Sequence, residues 1–168
     1  MKMKIVIILA MLFNLLNCGK DRDDKLNLIQ QDFNGNQLRL DGYYFTQIES
    51  YNGFIYPRYT LYQNGIIRFL GGPNTLDNII FSSANYKTNW GIFNIENDNI
   101  QFERWYPSSG GPLEAYVRVG KILNDTTFHI TETYRLLNGE KTQYRLKDEI
   151  YHFKQFSPKP DSTNNFIR

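Results

Sequence analysis

The chain has one cysteine, Cys18, only two histidines, His129 and His152, and no apolar run long enough to cross a bilayer as a helix. A single thiol closes no internal disulfide and no four-ligand metal site, so the disulfide scaffold and the structural zinc module are both excluded. Excess charge is missing too. The first 17 residues contain Lys2 and Lys4 and no acid, so the remaining 151 hold 17 Lys and Arg against 17 Asp and Glu. Nucleic-acid binding needs a marked basic surplus, and none is present. Nor is there a Gly-Lys-Ser/Thr phosphate loop, a His-Glu-x-x-His or a Gly-x-Ser-x-Gly. The glycine-rich stretches Gly71-Gly72-Pro73 and Ser108-Ser109-Gly110-Gly111-Pro112 read as loops. No catalytic residue, metal ligand or cofactor is assigned.

What is present begins at the N-terminus. Lys2 and Lys4 precede twelve residues, Ile5 to Leu16, that are apolar except for Asn14. As a helix that run rises about 18 Å against a hydrocarbon core of about 30 Å. It has the parts of an export signal rather than of a membrane span. Leu15-Leu16-Asn17-Cys18 resembles a bacterial lipobox, in which a leucine stands three residues before the cysteine that is acylated and then heads the mature chain. The resemblance implies a signal peptide over residues 1–17 and lipid attachment at Cys18. Two or more acyl chains on one cysteine suffice for stable anchoring. The following Gly19-Lys20-Asp21-Arg22-Asp23-Asp24-Lys25 reads as a solvated tether reaching to about residue 36. It also resembles the charged signals that send some lipoproteins to the outer face of the outer membrane. Cell-surface display is the expected location, with the periplasmic face as the alternative.

About 150 residues suffice for one full core and one domain. Apolar residues alternate with polar ones, and the chain is rich in Tyr and Phe, 12 of each. Period-two alternation of β-branched and aromatic residues is the mark of half-buried strands. The pattern predicts strands near residues 38–48, 54–62, 66–70, 90–95, 100–106, 115–123, 127–136 and 143–156. Asn64-Gly65 and Asn138-Gly139 carry the type I′ hairpin signal, and Glu96-Asn97-Asp98-Asn99 reads as a longer polar turn. Between Pro73 and Asn89 the spacing of Leu76, Ile79, Ile80 and Ala84 predicts one short helix.

Eight successive antiparallel strands with one helix suit a mostly β fold, a single up-and-down barrel over residues 37–156, because closure removes exposed edges. A β-sandwich is the alternative. Trp90-Gly91-Ile92-Phe93-Asn94-Ile95, the polar turn, and Ile100-Gln101-Phe102 resemble the Trp-containing hairpin of small bacterial lipocalin-like domains. Gly42-Tyr43-Tyr44 stands where lipocalins carry Gly-x-Trp. The resemblance implies an interior able to hold one small apolar or amphipathic ligand. Residues 157–168, polar and proline-containing, read as an extended tail.

Within the strands, alternation places Phe128, Ile130, Glu132, Tyr134 and Leu136 on one face, so a carboxylate interrupts an apolar row. Ile100, Phe102, Arg104 and Tyr106 share a face, as do Tyr116, Arg118, Gly120 and Ile122. This patterning predicts an internal pair of Glu132 with Arg104 or Arg118, which either fixes a polar ligand group or satisfies a buried charge. Trp105, leading into the second glycine-rich loop, is a candidate contact for a sugar or a protein, or a packing residue. His129 falls on the wet face opposite Phe128 and Ile130. Asp125-Thr126-Thr127 and Asp161-Ser162-Thr163 resemble O-glycosylation sequons, making Thr126 and Ser162 candidate acceptors.

The function expected is a non-catalytic binding module, anchored to a membrane, that captures a small amphipathic ligand in a barrel. The alternative is an envelope module with a filled barrel whose loops bind a protein or a surface glycan. A hydrolase is the third reading and would need carboxylates or histidines converging in a cleft.

Overall fold

Where apolar and polar residues alternate, the backbone is extended. The computed structural model describes residues 22–77 and 80–167; the expected signal peptide and Cys18 lie outside the described residues. Ten strands follow in order: β1 (Gly42–Phe45), β2 (Ile48–Ser50), β3 (Gly53–Ile55), β4 (Arg58–Leu61), β5 (Ile66–Gly71), β6 (Trp90–Glu96), β7 (Asn99–Tyr106), β8 (Glu114–Asn124), β9 (Thr127–Leu137) and β10 (Glu140–Gln155). Eight of them close an antiparallel up-and-down barrel in the order β1-β10-β9-β8-β7-β6-β5-β4. The fold is mostly β, and the barrel expected from the sequence is the one that forms.

Two of the expected strands are interrupted. The runs 38–48 and 54–62 each break near the rim, and β2 and β3 pair only with each other as a separate hairpin. Antiparallel alternation sorts the connections onto two ends. The lower end carries the turns at 62–65, 97–98 and 125–126. The upper end carries the β2–β3 hairpin, the long segment 72–89, the loop 107–113 and the turn at Asn138-Gly139. Asn138 and Gly139 both take positive φ, 53° and 85°, as a type I′ turn requires. At Asn64-Gly65 only Gly65 does so, and the turn closes through the Gly65 amide on the Tyr62 carbonyl, 3.0 Å away.

The interior is filled with rings. Tyr44, Tyr59, Phe93, Phe102, Phe128 and Tyr151 are buried with Leu61, Ile67, Ile100 and Ile130. Phe128 and Tyr151 stack at 4.9 Å, and Tyr59 packs on Phe102 at 5.2 Å. The lower end is plugged by the chain before β1. Leu38 joins the core, Phe33 packs on Phe93, and the Arg39 amide donates to the Asp125 carbonyl across the turn.

The segment expected to be a solvated tether is tied down from Asp23 onward. It starts at the upper rim, where Asp24 meets Arg135 and the Ala115 amide, and runs down the outside of β7 and β6 to the plug. Glu103, fully buried, clamps it midway, accepting from the Asn27 amide at 2.5 Å, the Leu28 amide at 2.8 Å and the Asn27 side-chain amide at 2.8 Å. Charge density alone favoured a free tether; three hydrogen bonds to a buried carboxylate outweigh it.

The tail after β10 also folds back, and Phe166 and Ile167 pack against the cluster of Tyr62, Ile66 and Trp90. Lys159 donates to the carbonyls of Leu40 at 2.6 Å and Leu61 at 2.5 Å, and burial pushes its ammonium down to about 8.

The helix expected between Pro73 and Asn89 does not form among the described residues, where the only helical piece is a 3-10 turn at Lys87–Asn89; Ile79 lies outside them. The physical reason lies in the carbonyls. Ile80 accepts from Arg58, Ser82 from Arg68, Ser83 from Asn89 and Ala84 from the Trp90 indole. A helix would have used most of those acceptors internally and left buried donors on the outer wall unpaired.

Replacing Glu103 by alanine strips three donors of their acceptor. The expected cost is about 2–3 kcal/mol, the scale of hydrogen bonds to a charged group. Hydrogen exchange should accelerate over residues 23–31 while the protection of β8, β9 and β10 keeps its order.

Candidate functional site

The rings fill the lower and middle barrel, and polar side chains gather where they stop. Ile100 and Phe102 of β7 lie in the core, and Arg104 and Tyr106 continue the same inward row toward the upper end. Across the ladder, Phe102 faces Arg118 and Arg104 faces Tyr116. Arg104 fits there because its other neighbour is Gly91: a Cβ on Gly91 would lie 2.6 Å from the Cβ of Arg104. The Arg104 guanidinium donates to the Thr88 carbonyl at 2.5 Å and lies 3.9 Å from the centre of the Tyr106 ring and 4.4 Å from that of Phe69.

Arg118 is balanced by Glu149. The guanidinium meets the carboxylate at 2.5 Å and also donates to the Tyr151 hydroxyl at 3.1 Å. The Tyr151 hydroxyl donates in turn to Glu149 at 3.0 Å, and Lys147 approaches the other carboxylate oxygen at 3.1 Å. Burial by itself would raise the Glu149 carboxyl, but Arg118, Lys147 and Tyr151 outweigh it and hold it below the ordinary carboxylate range. Burial likewise opposes ionisation of the Tyr106 hydroxyl, yet Arg104 and Arg118 pull it below the usual phenol value.

Above this group the barrel opens into a cavity of about 170 Å³ lined by Tyr106, Tyr116, Arg118, Thr133, Arg145 and Lys147. Arg135 at the rim is engaged by Asp24 and Glu114 at 2.7 Å each. That leaves Arg118, Arg145 and Lys147 lining the mouth, with Glu149 against Arg118 and Lys147, and Glu114 accepting from the Tyr116 hydroxyl at 2.9 Å. The Tyr106 hydroxyl is buried beside Tyr59 and Arg104. The mouth is therefore cationic and lined with phenol rings.

The side chains singled out from the sequence separate. Arg104 and Arg118 meet in the barrel; Glu132 does not join them. The β8–β9 ladder pairs Val119 with Glu132 and then Gly120 with Ile130, so Thr131 is an extra residue. That bulge ends the row Phe128-Ile130 and continues it through Thr133, whose partner is Arg118. Glu132 is turned away, 3.9 Å from Lys141 and beside Tyr144. The carboxylate that meets Arg118 is Glu149, which strict alternation along β10 from Tyr151 and Phe153 places on the inner face.

Trp105 lies on the outer wall of the barrel, where it lines a groove. Its indole donates to the Asp24 carbonyl at 2.7 Å, and the Lys87 ammonium sits 4.3 Å from its ring centre. A groove of about 440 Å³ runs past it between the N-terminal segment and the tail, with Leu28, Ile29, Ile92, Phe166 and Ile167 along its walls. His129 is on the outer face as read, 2.8 Å from Asp148. Thr126 sits in the β8–β9 turn, its hydroxyl donating to Asn124; Ser162 in the tail accepts from Asn64.

Comparison with protein-family models, with curated proteins and with solved structures finds no match to the chain.

The Glu149 carboxyl binds its proton less tightly in the folded chain than in the unfolded one. Its stabilisation is complete above the ordinary glutamate value of 4.5 and is lost as pH falls through it toward the lower folded value. Glu149→Gln should cost about 3 kcal/mol at neutral pH, because Arg118 keeps its charge without a counter-ion. The gap between wild type and variant should narrow on acidification, as read by denaturant unfolding at a series of pH values.

Proposed function

We propose that the protein is a membrane-anchored, non-catalytic binding module whose cationic mouth captures a small anionic ligand. The observation that carries this reading is the cavity at the upper end, which Arg118, Arg145 and Lys147 line together with the rings of Tyr106 and Tyr116. A guanidinium pairs with carboxylate or phosphate oxygens in a fixed fork, and partial exclusion of water strengthens that pairing. The phenol rings of Tyr106 and Tyr116 supply flat walls for an organic portion of the ligand.

Size bounds the ligand. About 170 Å³ is well below the 300–1,000 Å³ of sites that enclose drug-sized molecules. The stacked rings below leave no room for a long acyl chain within the barrel. A compact carboxylate or phosphate with a short apolar part fits these limits, which narrows the amphipathic cargo expected from the sequence. Anchoring through Cys18 would hold the module at the envelope, in keeping with the lipobox resemblance.

Thermal unfolding in the presence of inorganic phosphate and of a short-chain fatty acid, at constant ionic strength, tests the reading. A ligand present at a hundred times its dissociation constant stabilises the native state by about 2.7 kcal/mol. Either probe should raise the melting temperature of the wild type, and Lys147→Met with Arg145→Met should abolish that rise. Equal shifts in the wild type and the double variant, or no shift in either, would reject the mouth as a binding site.

A further inference from the structure

The barrel has two chemically different ends, and the N-terminal segment approaches from only one of them. Asp24 is fastened at the upper rim, to Arg135 and to the Ala115 amide, so the chain that leads back to Cys18 departs from the upper end. Four residue steps separate Cys18 from Arg22, a reach of at most about 14 Å. Any bilayer holding an acyl chain on Cys18 must lie close to that rim.

The upper end suits such a neighbour. The β2–β3 hairpin projects from it with Tyr51 wholly exposed and Phe54 48% exposed, and Glu49 is the only charged residue of the hairpin. The loop 107–113 contains no charged residue, and Leu137 is exposed beside the turn at Asn138-Gly139. Tyrosine is the residue that settles at the headgroup level of a bilayer, with its ring in the apolar boundary and its hydroxyl in water. Between these tips the mouth displays Arg145 and Lys147, and each such cation near an anionic membrane surface contributes about 1 kcal/mol of attraction.

The lower end differs. Asp32, Asp41, Glu96, Asp98 and Asp125 are exposed there against the exposed cations Lys121 and Lys154, and Arg39, bonded to Asp41 at 2.6 Å, also lies close to Asp125. Acids outnumber cations at that end, so an anionic surface gains less from it than from the mouth.

We infer that the upper end docks on an anionic phospholipid surface, with the β2–β3 hairpin seated among the headgroups and the cationic mouth facing the bilayer. This rests on the anchoring reading above, and goes beyond it by fixing which end meets the membrane. Docked in this way, the mouth draws its anionic ligand from the lipid surface or from the thin aqueous layer above it.

The test uses the full chain, processed in its native envelope and reconstituted into phosphatidylethanolamine–phosphatidylglycerol vesicles. Asn52→Cys places a single free thiol at the hairpin tip, since an acylated Cys18 offers none, and Glu96→Cys places one at the lower end. Each is labelled with an environment-sensitive fluorophore, and quenching by lipids brominated on the acyl chains is compared. The expected result is loss of fluorescence at position 52, none at position 96, and weaker quenching at 52 when Tyr51 and Phe54 are both replaced by serine. A chain that floats with the vesicles but is not quenched at 52, or is quenched more at 96, overturns the docking while anchoring stands. Intact mass showing an unmodified Cys18 overturns both.

Discussion

An arginine inside a barrel of rings needs a counter-charge, and the contact between Arg118 and Glu149 at 2.5 Å supplies it. Two charges moved out of water each carry a desolvation cost of several kcal/mol, which attraction offsets only with good geometry and further hydrogen bonds. Tyr151 and Lys147 complete the set, and both come from the same strand as Glu149. The bulge at Thr131 in β9 turns Glu132 out of the inner row and sets Thr133 beside Arg118. Without it Glu132 would point inward, and the barrel would hold a different pair.

The division of the interior follows from this arrangement. Below Arg118 the cross-section is taken up by stacked and tilted rings, so the closed part of the barrel behaves as an ordinary packed core. Above it the strands carry cations and phenols that cannot pack dry against one another, and the cavity of about 170 Å³ remains. Filling and opening are therefore two halves of one barrel. The sequence left them as competing alternatives because strand alternation tells which residues face inward and not how far along the axis they stop.

The outer wall shows why segments without a pattern need not be free. Residues 22–36, the stretch 72–89 and the tail have little periodicity, yet each covers part of β4 to β7. They do so through single directed contacts: Asn27 and Leu28 on Glu103, the carbonyls of Ile80 and Ser82 under Arg58 and Arg68, and the Lys159 ammonium on Leu40 and Leu61. Local sequence carries almost no trace of such contacts, since partners are separated by up to 119 positions. Trp90 and Trp105 illustrate the same limit, because each indole is satisfied by a carbonyl of a covering segment rather than by a neighbour in its own strand.

The strands of the barrel, the inward rows of β7 and β8 and the wet face at His129 were legible in the chain, because period-two alternation is a local property of the backbone. The Asn138-Gly139 turn was legible too, as positive φ is tolerated by few residue types. The tertiary structure alone decided that Glu149 and not Glu132 meets Arg118, that Trp105 lies outside, and that the charged N-terminal segment is fastened and leaves from the upper rim. Each depends on register across two or more strands, and a shift of one residue in register exchanges the two faces of everything beyond it.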